Sequence, residues 1–93
     1  MKFEWNEEKN TQLKQQRDVC FENVLLAINE RRLLDIIPHP NQESYSHQNI
    51  LIVMIRHYVY YVPYVENDSR IFLKTIIPSR KYQKTYLKGV NHG

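Results

Sequence analysis

The chain has 93 residues with a formal net charge of +3, and 42% of them are hydrophobic, which suffices for one small domain over residues 1–93. Both glycines lie in the last five residues, and this excludes the glycine-rich phosphate loops of mononucleotide- and dinucleotide-binding proteins. A single cysteine excludes an intrachain disulfide and a multi-cysteine zinc site, and because no apolar run approaches the ~20 residues that cross a bilayer, we expect a cytoplasmic protein that acts away from membranes.

The N-terminal third of the chain predicts one short strand and two helices. Residues 2–5 alternate polar and apolar side chains, as a half-buried strand does. Asn6 is a favourable N-cap for a mostly polar helix over residues 7–17. Four apolar residues with the spacing i, i+3, i+4 and i+7 predict a core-facing helix over residues 21–31: Phe21, Val24, Leu25 and Ile28.

Four β-rich runs follow, at residues 33–37, 50–55, 58–65 and 71–77. The second and third are separated only by Arg56 and His57, which predicts a hairpin. Because residues 50–55 are apolar on both faces, we expect this strand in the middle of the sheet. Pro63 has no N–H to donate and therefore marks a bulge or an edge position.

The last predicted element is a helix over residues 80–88. Ser79 is a favourable N-cap for this helix, and Gly89 lies just beyond its expected end. The predicted order β-α-α-β-β-β-β-α describes an α+β domain, with a small, mainly antiparallel sheet, two N-terminal helices and one C-terminal helix. The loop over residues 38–49 has no periodic apolar pattern, and a loop of this length in a small domain is often functional.

Charge is distributed unevenly along the chain. Residues 1–68 contain seven basic and ten acidic side chains, whereas residues 69–93 contain six basic and no acidic ones. In the final helix, three lysines fall on one side and two tyrosines on another: Lys81, Lys84, Lys88, Tyr82 and Tyr86. Because cations pair with phosphates and bases stack on aromatic rings, the pattern favours single-stranded RNA, although an acidic protein partner could use the same surface.

The loop before the second β-rich run holds two histidines, His39 and His47. A histidine titrates near neutrality and can act as acid or base in phosphoryl transfer, but exposed loop histidines without such a role are the simpler interpretation. His39, Glu43 and His47 have four-residue spacing, which would suit a metal only on a helix, and the neighbouring prolines disfavour that helix. We therefore expect no metal site and no cofactor.

Two further residue types are unusual. Seven tyrosines exceed ordinary use in 93 residues, and we expect most of them to pack and one or two to line a site. Cys20 precedes the second predicted helix, where the helix dipole can make a thiol nucleophilic. An inert residue at the cap position is the simpler interpretation.

Three segments of the chain resemble the BrnT family of toxins: residues 3–10 (FEWNEEKN), 17–22 (RDVCFE) and 76–81 (IIPSRK). Residues 35–43 and 72–81 look like one subgroup of that family in particular. The resemblance covers nearly the whole chain in the right order and length. It implies a RelE-like fold, an mRNA endonuclease activity and a cognate antitoxin with a ribbon-helix-helix or similar DNA-binding part.

The resemblance also implies a set of site residues. BrnT-like proteins commonly have a Lys-His pair where this chain has Gln16 and Arg17, so the general acid and base stay open between Lys14, Lys81, Tyr82 and a loop histidine. Arg17 and Arg80 are suited to stabilising the charge of metal-free RNA cleavage, because a guanidinium offers paired donors and stays ionised. The predicted catalytic residues are Arg80, Arg17, Lys81 and Lys14. The predicted substrate-binding residues are Trp5, Tyr82, His39 and Lys84.

The leading hypothesis for function is the mRNA-cleaving toxin of a type II toxin–antitoxin pair. Its expected partners are mRNA, the antitoxin and, where cleavage takes place during translation, the ribosome; operator DNA is expected only through the antitoxin. A non-catalytic RNA- or protein-binding module of the same fold is the alternative, and it predicts salt-dependent RNA binding without cleavage. A protein–protein adaptor with an acidic partner predicts no RNA binding at all.

Overall fold

The computed structural model describes residues 2–91, with side chains described for residues 2–85, so the predicted roles of Tyr86 and Lys88 lie outside the described side chains. The elements in chain order are β1 (Lys2–Glu4), α1 (Glu7–Arg17), α2 (Phe21–Asn29), β2 (Leu33–Pro38), β3 (Gln48–Ile55), β4 (Tyr58–Asn67), β5 (Arg70–Leu73), β6 (Ile77–Pro78) and α3 (Arg80–Asn91). The predicted α+β class, with two N-terminal helices and one C-terminal helix, is confirmed.

The strands form one mixed sheet in the order β1-β5-β4-β3-β2, with β6 paired to β4. The β1–β5 pair is parallel, and the other pairs are antiparallel. The prediction of a mainly antiparallel sheet is therefore confirmed, with one parallel pair at its edge. The apolar strand β3 lies between β2 and β4, as its composition predicts.

Helices cover both faces of β3 because its apolar side chains alternate between them. On one face, the largest core cluster joins α1 and α2 to the sheet through residues such as Leu13, Phe21, Val24, Leu51 and Val53. On the other face, a smaller cluster of Ile50, Ile52 and Val59 packs against Tyr82 of α3. We call these the two-helix face and the α3 face. None of the helices in the described part of the chain is long and apolar enough to span a membrane.

The local signals at the helix starts act as predicted. The Asn6 side chain accepts a hydrogen bond from the backbone N–H of Lys9 at 2.9 Å, which caps α1. Cys20 is the N-cap residue of α2, and both its backbone N–H and its thiol donate to the Asn23 side-chain oxygen, at 2.9 and 3.3 Å. The position predicted for Cys20 is thus confirmed.

The predicted hairpin is confirmed by a two-residue connection between β3 and β4. Arg56 and His57 both have positive φ, 49° and 67°, as the tight turn that matches strand twist requires. The Arg56 guanidinium also donates to the backbone carbonyl of Asp18 at the end of α1. The turn therefore contacts the helical layer as well as joining two strands.

Three sequence expectations about the C-terminal half are wrong in detail. The single strand predicted over 71–77 is two strands, β5 and β6. The last helix, predicted to end at residue 88, continues through Gly89 to Asn91, because Gly89 does not take the left-handed conformation that ends many helices. Pro63 lies in an inner strand instead of at an edge. The Pro63 carbonyl accepts a hydrogen bond from the Lys74 N–H at 2.8 Å, just after the end of β5. The N–H and C=O of one residue in an antiparallel strand point to the same side, so the Pro63 nitrogen, which has no hydrogen to donate, faces the break between β5 and β6.

A buried asparagine links α1 to α2 and makes stability depend on pH. Asn10 is 8% exposed, and its side chain accepts from the Phe21 N–H at 2.7 Å and donates to the Glu22 carboxylate at 2.8 Å. The hydrogen bond from Asn10, and after it hydrogen bonding to the backbone, lowers the pKa of Glu22 below its usual value. A carboxylate whose pKa is lower in the folded state than in the unfolded state stabilises the protein when the pH is above the unfolded-state pKa. This stabilisation is lost as the pH falls through the folded-state pKa.

We expect Glu22→Gln to reduce the loss of stability between about pH 6 and about pH 3, because glutamine does not titrate. Urea unfolding at the two pH values measures this loss for the wild type and the variant. Glu43→Gln, in the exposed loop, is the matched control, and its free energy of unfolding should fall between the two pH values by as much as that of the wild type. An equal loss in all three proteins would contradict the assignment.

Candidate nucleic-acid site

The first turn of α3 is held against the sheet by hydrogen bonds to Val59. The Ser79 N–H donates to the Val59 carbonyl at 3.1 Å, and the Val59 N–H donates to the side-chain oxygen of Gln83 at 2.7 Å. The Ser79 hydroxyl accepts from the Tyr82 N–H at 3.2 Å and so caps the helix, as predicted. These bonds satisfy both backbone polar groups of Val59 and orient the side chains at the start of α3.

A concave site of about 270 Å³ lies where α3 begins, and we call it the α3 pocket. Its lining consists of His39, Pro40, Ile50, Tyr61, Ser79, Lys81 and Tyr82. The rings of Tyr61 and Tyr82 meet edge to face, with centroids 6.3 Å apart, and the Lys81 ammonium lies 5.6 Å from the Tyr82 ring centroid. The pocket thus combines aromatic and apolar walls with one cation and one imidazole.

His39 is oriented by the loop that follows it. The Asn41 N–H donates to Nδ1 of His39 at 3.1 Å, and the Tyr45 ring stacks on the imidazole with centroids 4.2 Å apart. A backbone N–H can only donate, so Nδ1 is an acceptor and the proton of the neutral ring is on Nε2. His39 therefore presents a hydrogen-bond donor at Nε2.

The start of α3 carries three exposed cations. Arg80, Lys81 and Lys84 are exposed, and among the described side chains none of them forms an ion pair with a carboxylate. The first turn of α3 contains no acidic residue. Basic residues there oppose the helix dipole at a cost of about 0.3–1 kcal/mol each, and such a local conflict is typical of a functional site. An anion would be attracted by both the cations and the helix N-terminus.

Five of the eight predicted site residues are not among those that line the α3 pocket: Arg80 and Lys84, which are exposed on α3, and Arg17, Trp5 and Lys14. The Arg17 guanidinium donates to the Ile76 carbonyl at 2.6 Å and so ties α1 to the segment just before α3. The Trp5 ring stacks on Phe21 with centroids 5.5 Å apart, and its N–H donates to Glu7 at 2.6 Å, so it packs on the two-helix face.

Lys14 lines a separate and larger concavity of about 640 Å³ along α1, with Asn10, Thr11, Gln15, Cys20 and Glu22. This concavity pairs a lysine with a carboxylate and has no aromatic side chain. The smaller α3 pocket instead combines three predicted residues, His39, Lys81 and Tyr82, within or beside the basic C-terminal segment. Charge and lining therefore favour the α3 pocket for an anionic ligand.

Tyr61 and Tyr45 contribute to the site but were not predicted individually. The surplus of tyrosines indicated that one or two would line a site, and Tyr61 forms a wall of the pocket while Tyr45 supports His39. The strand period of two places Tyr61 on the α3 face with Val59, which is a signal that the sequence contains. The stacking of Tyr45 on His39 depends on a loop conformation that no periodicity predicts.

The fold and the pocket define a small α+β domain with a cationic, aromatic surface at the start of its last helix. Comparison of the chain with protein-family models, curated proteins and solved structures finds no match. Among the described residues, no three His, Cys, Asp or Glu side chains are grouped so that they could hold a metal ion.

Proposed function

We propose that the protein is a metal-independent endoribonuclease that cuts mRNA in the cytoplasm, as the toxin of a type II toxin–antitoxin pair. The observation that carries the proposal is the α3 pocket, which His39, Lys81 and Tyr82 line together; Arg80 precedes Lys81 in the first turn of α3 and forms no ion pair among the described side chains. The resemblance of the chain to BrnT-like sequences supports the same function. A cation, a proton donor and aromatic rings are what RNA cleavage and base stacking require.

The proposed reaction is attack of a ribose 2′-oxygen on the adjacent phosphorus. The 2′-O–P bond forms, the P–O5′ bond breaks, the 2′-proton passes to the general base, and the general acid gives a proton to the leaving 5′-oxygen. Arg80 stabilises the negative charge that builds up on the phosphoryl oxygens, and Lys81 and Tyr82 are the candidates for the general base. His39 donates from Nε2 to an oxygen of the phosphate, and Lys84 contacts the RNA backbone.

The decisive experiment uses a DNA oligonucleotide with a single ribonucleotide, incubated with the purified protein in EDTA. The expected products end in a 2′,3′-cyclic phosphate and a 5′-hydroxyl, because the 2′-oxygen replaces the 5′-oxygen on phosphorus. The same oligonucleotide without the 2′-hydroxyl is the control and should stay intact. An oligonucleotide that binds but is never cut would contradict the nuclease and support the non-catalytic RNA-binding module.

We expect two substitutions in the α3 pocket to identify the general base. Tyr82→Phe removes the hydroxyl and keeps the ring, and Lys81→Met removes the ammonium and keeps the aliphatic stem. Loss of a general base lowers the cleavage rate about 10²- to 10⁴-fold and removes one limb of the pH–rate profile. If both variants cleave with the wild-type pH profile, neither residue is the base.

The same surface is the proposed site of antitoxin binding. An antitoxin that covers the α3 pocket neutralises Arg80, Lys81 and Lys84 with its own carboxylates and blocks RNA. In this proposal the antitoxin's ribbon-helix-helix part contacts operator DNA, and the toxin reaches DNA only through it. We expect a neighbouring open reading frame that encodes such an antitoxin. The purified antitoxin should prevent RNA from binding at the α3 pocket.

A further inference from the structure

A second concave surface lies on the α3 face, near the far end of β4. It has a volume of about 380 Å³ and is lined by Glu4, Val65, Asn67, Arg70, Phe72 and Lys74. Val65 follows Tyr61 of the α3 pocket by four residues on the same strand, so both side chains point to the α3 face, ~13 Å apart along the strand. We call this surface the Phe72 patch.

Phe72 is a large aromatic side chain that the fold leaves open. Its strand neighbours Ile71 and Leu73 are 8% and 0% exposed on the two-helix face, whereas Phe72 is 38% exposed. The Lys74 ammonium lies 5.6 Å from the Phe72 ring centroid. The ring therefore offers a stacking surface that has a cation beside it.

The charges around Phe72 are mainly positive. Arg70 and Lys74 flank the ring along the chain, and Lys2 lies opposite Arg70 in the register of β1 and β5. The one acidic residue in the lining, Glu4, is 3.8 Å from Arg70, a distance at which an exposed pair binds weakly. The two cations and one carboxylate of the lining leave a net positive surface around an exposed ring.

We propose that the Phe72 patch is a second binding subsite for single-stranded polynucleotide, in which one base stacks on Phe72 and the flanking phosphates pair with Arg70 and Lys74. The proposal extends the proposed function, since the RNA cut in the α3 pocket then follows β4 to the patch. A polynucleotide uses both the ring and the cations, because every base has a flat face and every linkage a negative charge. An acidic peptide would use only the cations.

The test measures binding of fluorescein-labelled oligodeoxythymidylate of about ten nucleotides, a length within the usual range of single-strand sites. DNA lacks the 2′-hydroxyl, so the probe reports binding without cleavage. Phe72→Ala should weaken binding about five- to tenfold, and Phe72→Trp should keep wild-type affinity. Ile36→Ala, which also removes an exposed apolar strand residue, is the matched control and should bind as the wild type does.

The role of the cations is measured by the salt dependence of the same binding. Lys74→Gln should reduce the slope of log K against log salt concentration by about 0.7, the value expected for one phosphate contact on a single strand. Lys9→Gln, on α1, is the control and should leave the slope unchanged. An unchanged slope in Lys74→Gln would contradict the predicted phosphate contact.

Two results would overturn the subsite. One is wild-type affinity for the oligonucleotide in Phe72→Ala; the other is tighter binding of an oligoglutamate peptide, with the same dependence on Phe72. Failure of the subsite is separable from failure of the proposed nuclease. If the wild type cuts RNA and Phe72→Ala binds the oligonucleotide normally, only the subsite proposal is contradicted. If the wild type binds through Phe72 but never cuts RNA, only the nuclease proposal is contradicted.

Discussion

Arg80→Ala is expected to lower the rate of RNA cleavage about 10²- to 10³-fold, the usual effect of removing one preorganised donor from a developing anion. Arg80 is exposed in the first turn of α3, next to the lysine that lines the α3 pocket, and forms no ion pair among the described side chains. Cleavage of the single-ribonucleotide substrate measures the rate. Expression of the variant in cells should no longer arrest growth.

Two companion variants make the Arg80 result specific. Arg80→Lys should recover part of the rate, because an ammonium keeps the charge but lacks the paired donors of a guanidinium. Arg31→Asn is the matched control, since it removes an exposed arginine elsewhere, and asparagine tolerates the left-handed backbone at that position, where φ is 63°. If Arg80→Ala cleaves RNA at the wild-type rate, the assignment of the active site to the start of α3 is contradicted.

Phe21→Ala is expected to reduce the free energy of unfolding by about 3–5 kcal/mol. Phe21 is fully buried in the largest core cluster, where the Trp5 ring stacks on it. Small domains have only about 5–15 kcal/mol of stability, so this one substitution removes a large part of it. Urea unfolding followed by circular dichroism measures the change.

The control for Phe21→Ala is the same change at Phe72. Because Phe72 is 38% exposed, its replacement leaves a smaller cavity and should cost much less stability than the replacement of Phe21. The pair also shows whether loss of polynucleotide binding in Phe72→Ala is separate from unfolding. Equal costs at the two positions would contradict the assignment of Phe21 to the core.

Local sequence signals predicted most of the secondary structure. The caps at Asn6 and Ser79 and the hairpin turn at Arg56 and His57 all lie where the sequence places them. Each of these features depends on residues within about four positions of one another, so short-range hydrogen bonding and backbone preference decide them. The central position of β3 was also predictable, because apolar residues on both faces need a cover on both faces.

The C-terminal half shows where local signals are insufficient. The run over 71–77 is rich in apolar and branched residues, but it forms two strands, and the break lies opposite Pro63, which has no N–H to pair there. The predicted end of α3 at residue 88 is also wrong, because a local signal is insufficient there too. A glycine ends a helix only where the chain adopts positive φ, and residue type alone does not impose that conformation at Gly89.

The candidate site was predictable by residue type and not by grouping. His39 lies 42 positions before Lys81 in the chain, and the two line one pocket because β2 and α3 pack on the same buried cluster of the α3 face. Arg17 and Lys14 were predicted beside them, but Arg17 bonds to the Ile76 carbonyl and Lys14 lines the concavity along α1. Distances between distant segments follow from packing, which periodicity does not encode.

The amino-acid sequence by itself determined the α+β class, the helix starts, the hairpin and the uncompensated charge of the last 25 residues. Those properties follow from short-range backbone preferences and from composition. Only the tertiary structure decided that His39, Tyr61 and Tyr82 share a pocket, that Trp5 packs on Phe21 and that Phe72 stays exposed beside Lys74. Burial and long-range pairing select these contacts, because a side chain's neighbours depend on how the helices close over each face of the sheet.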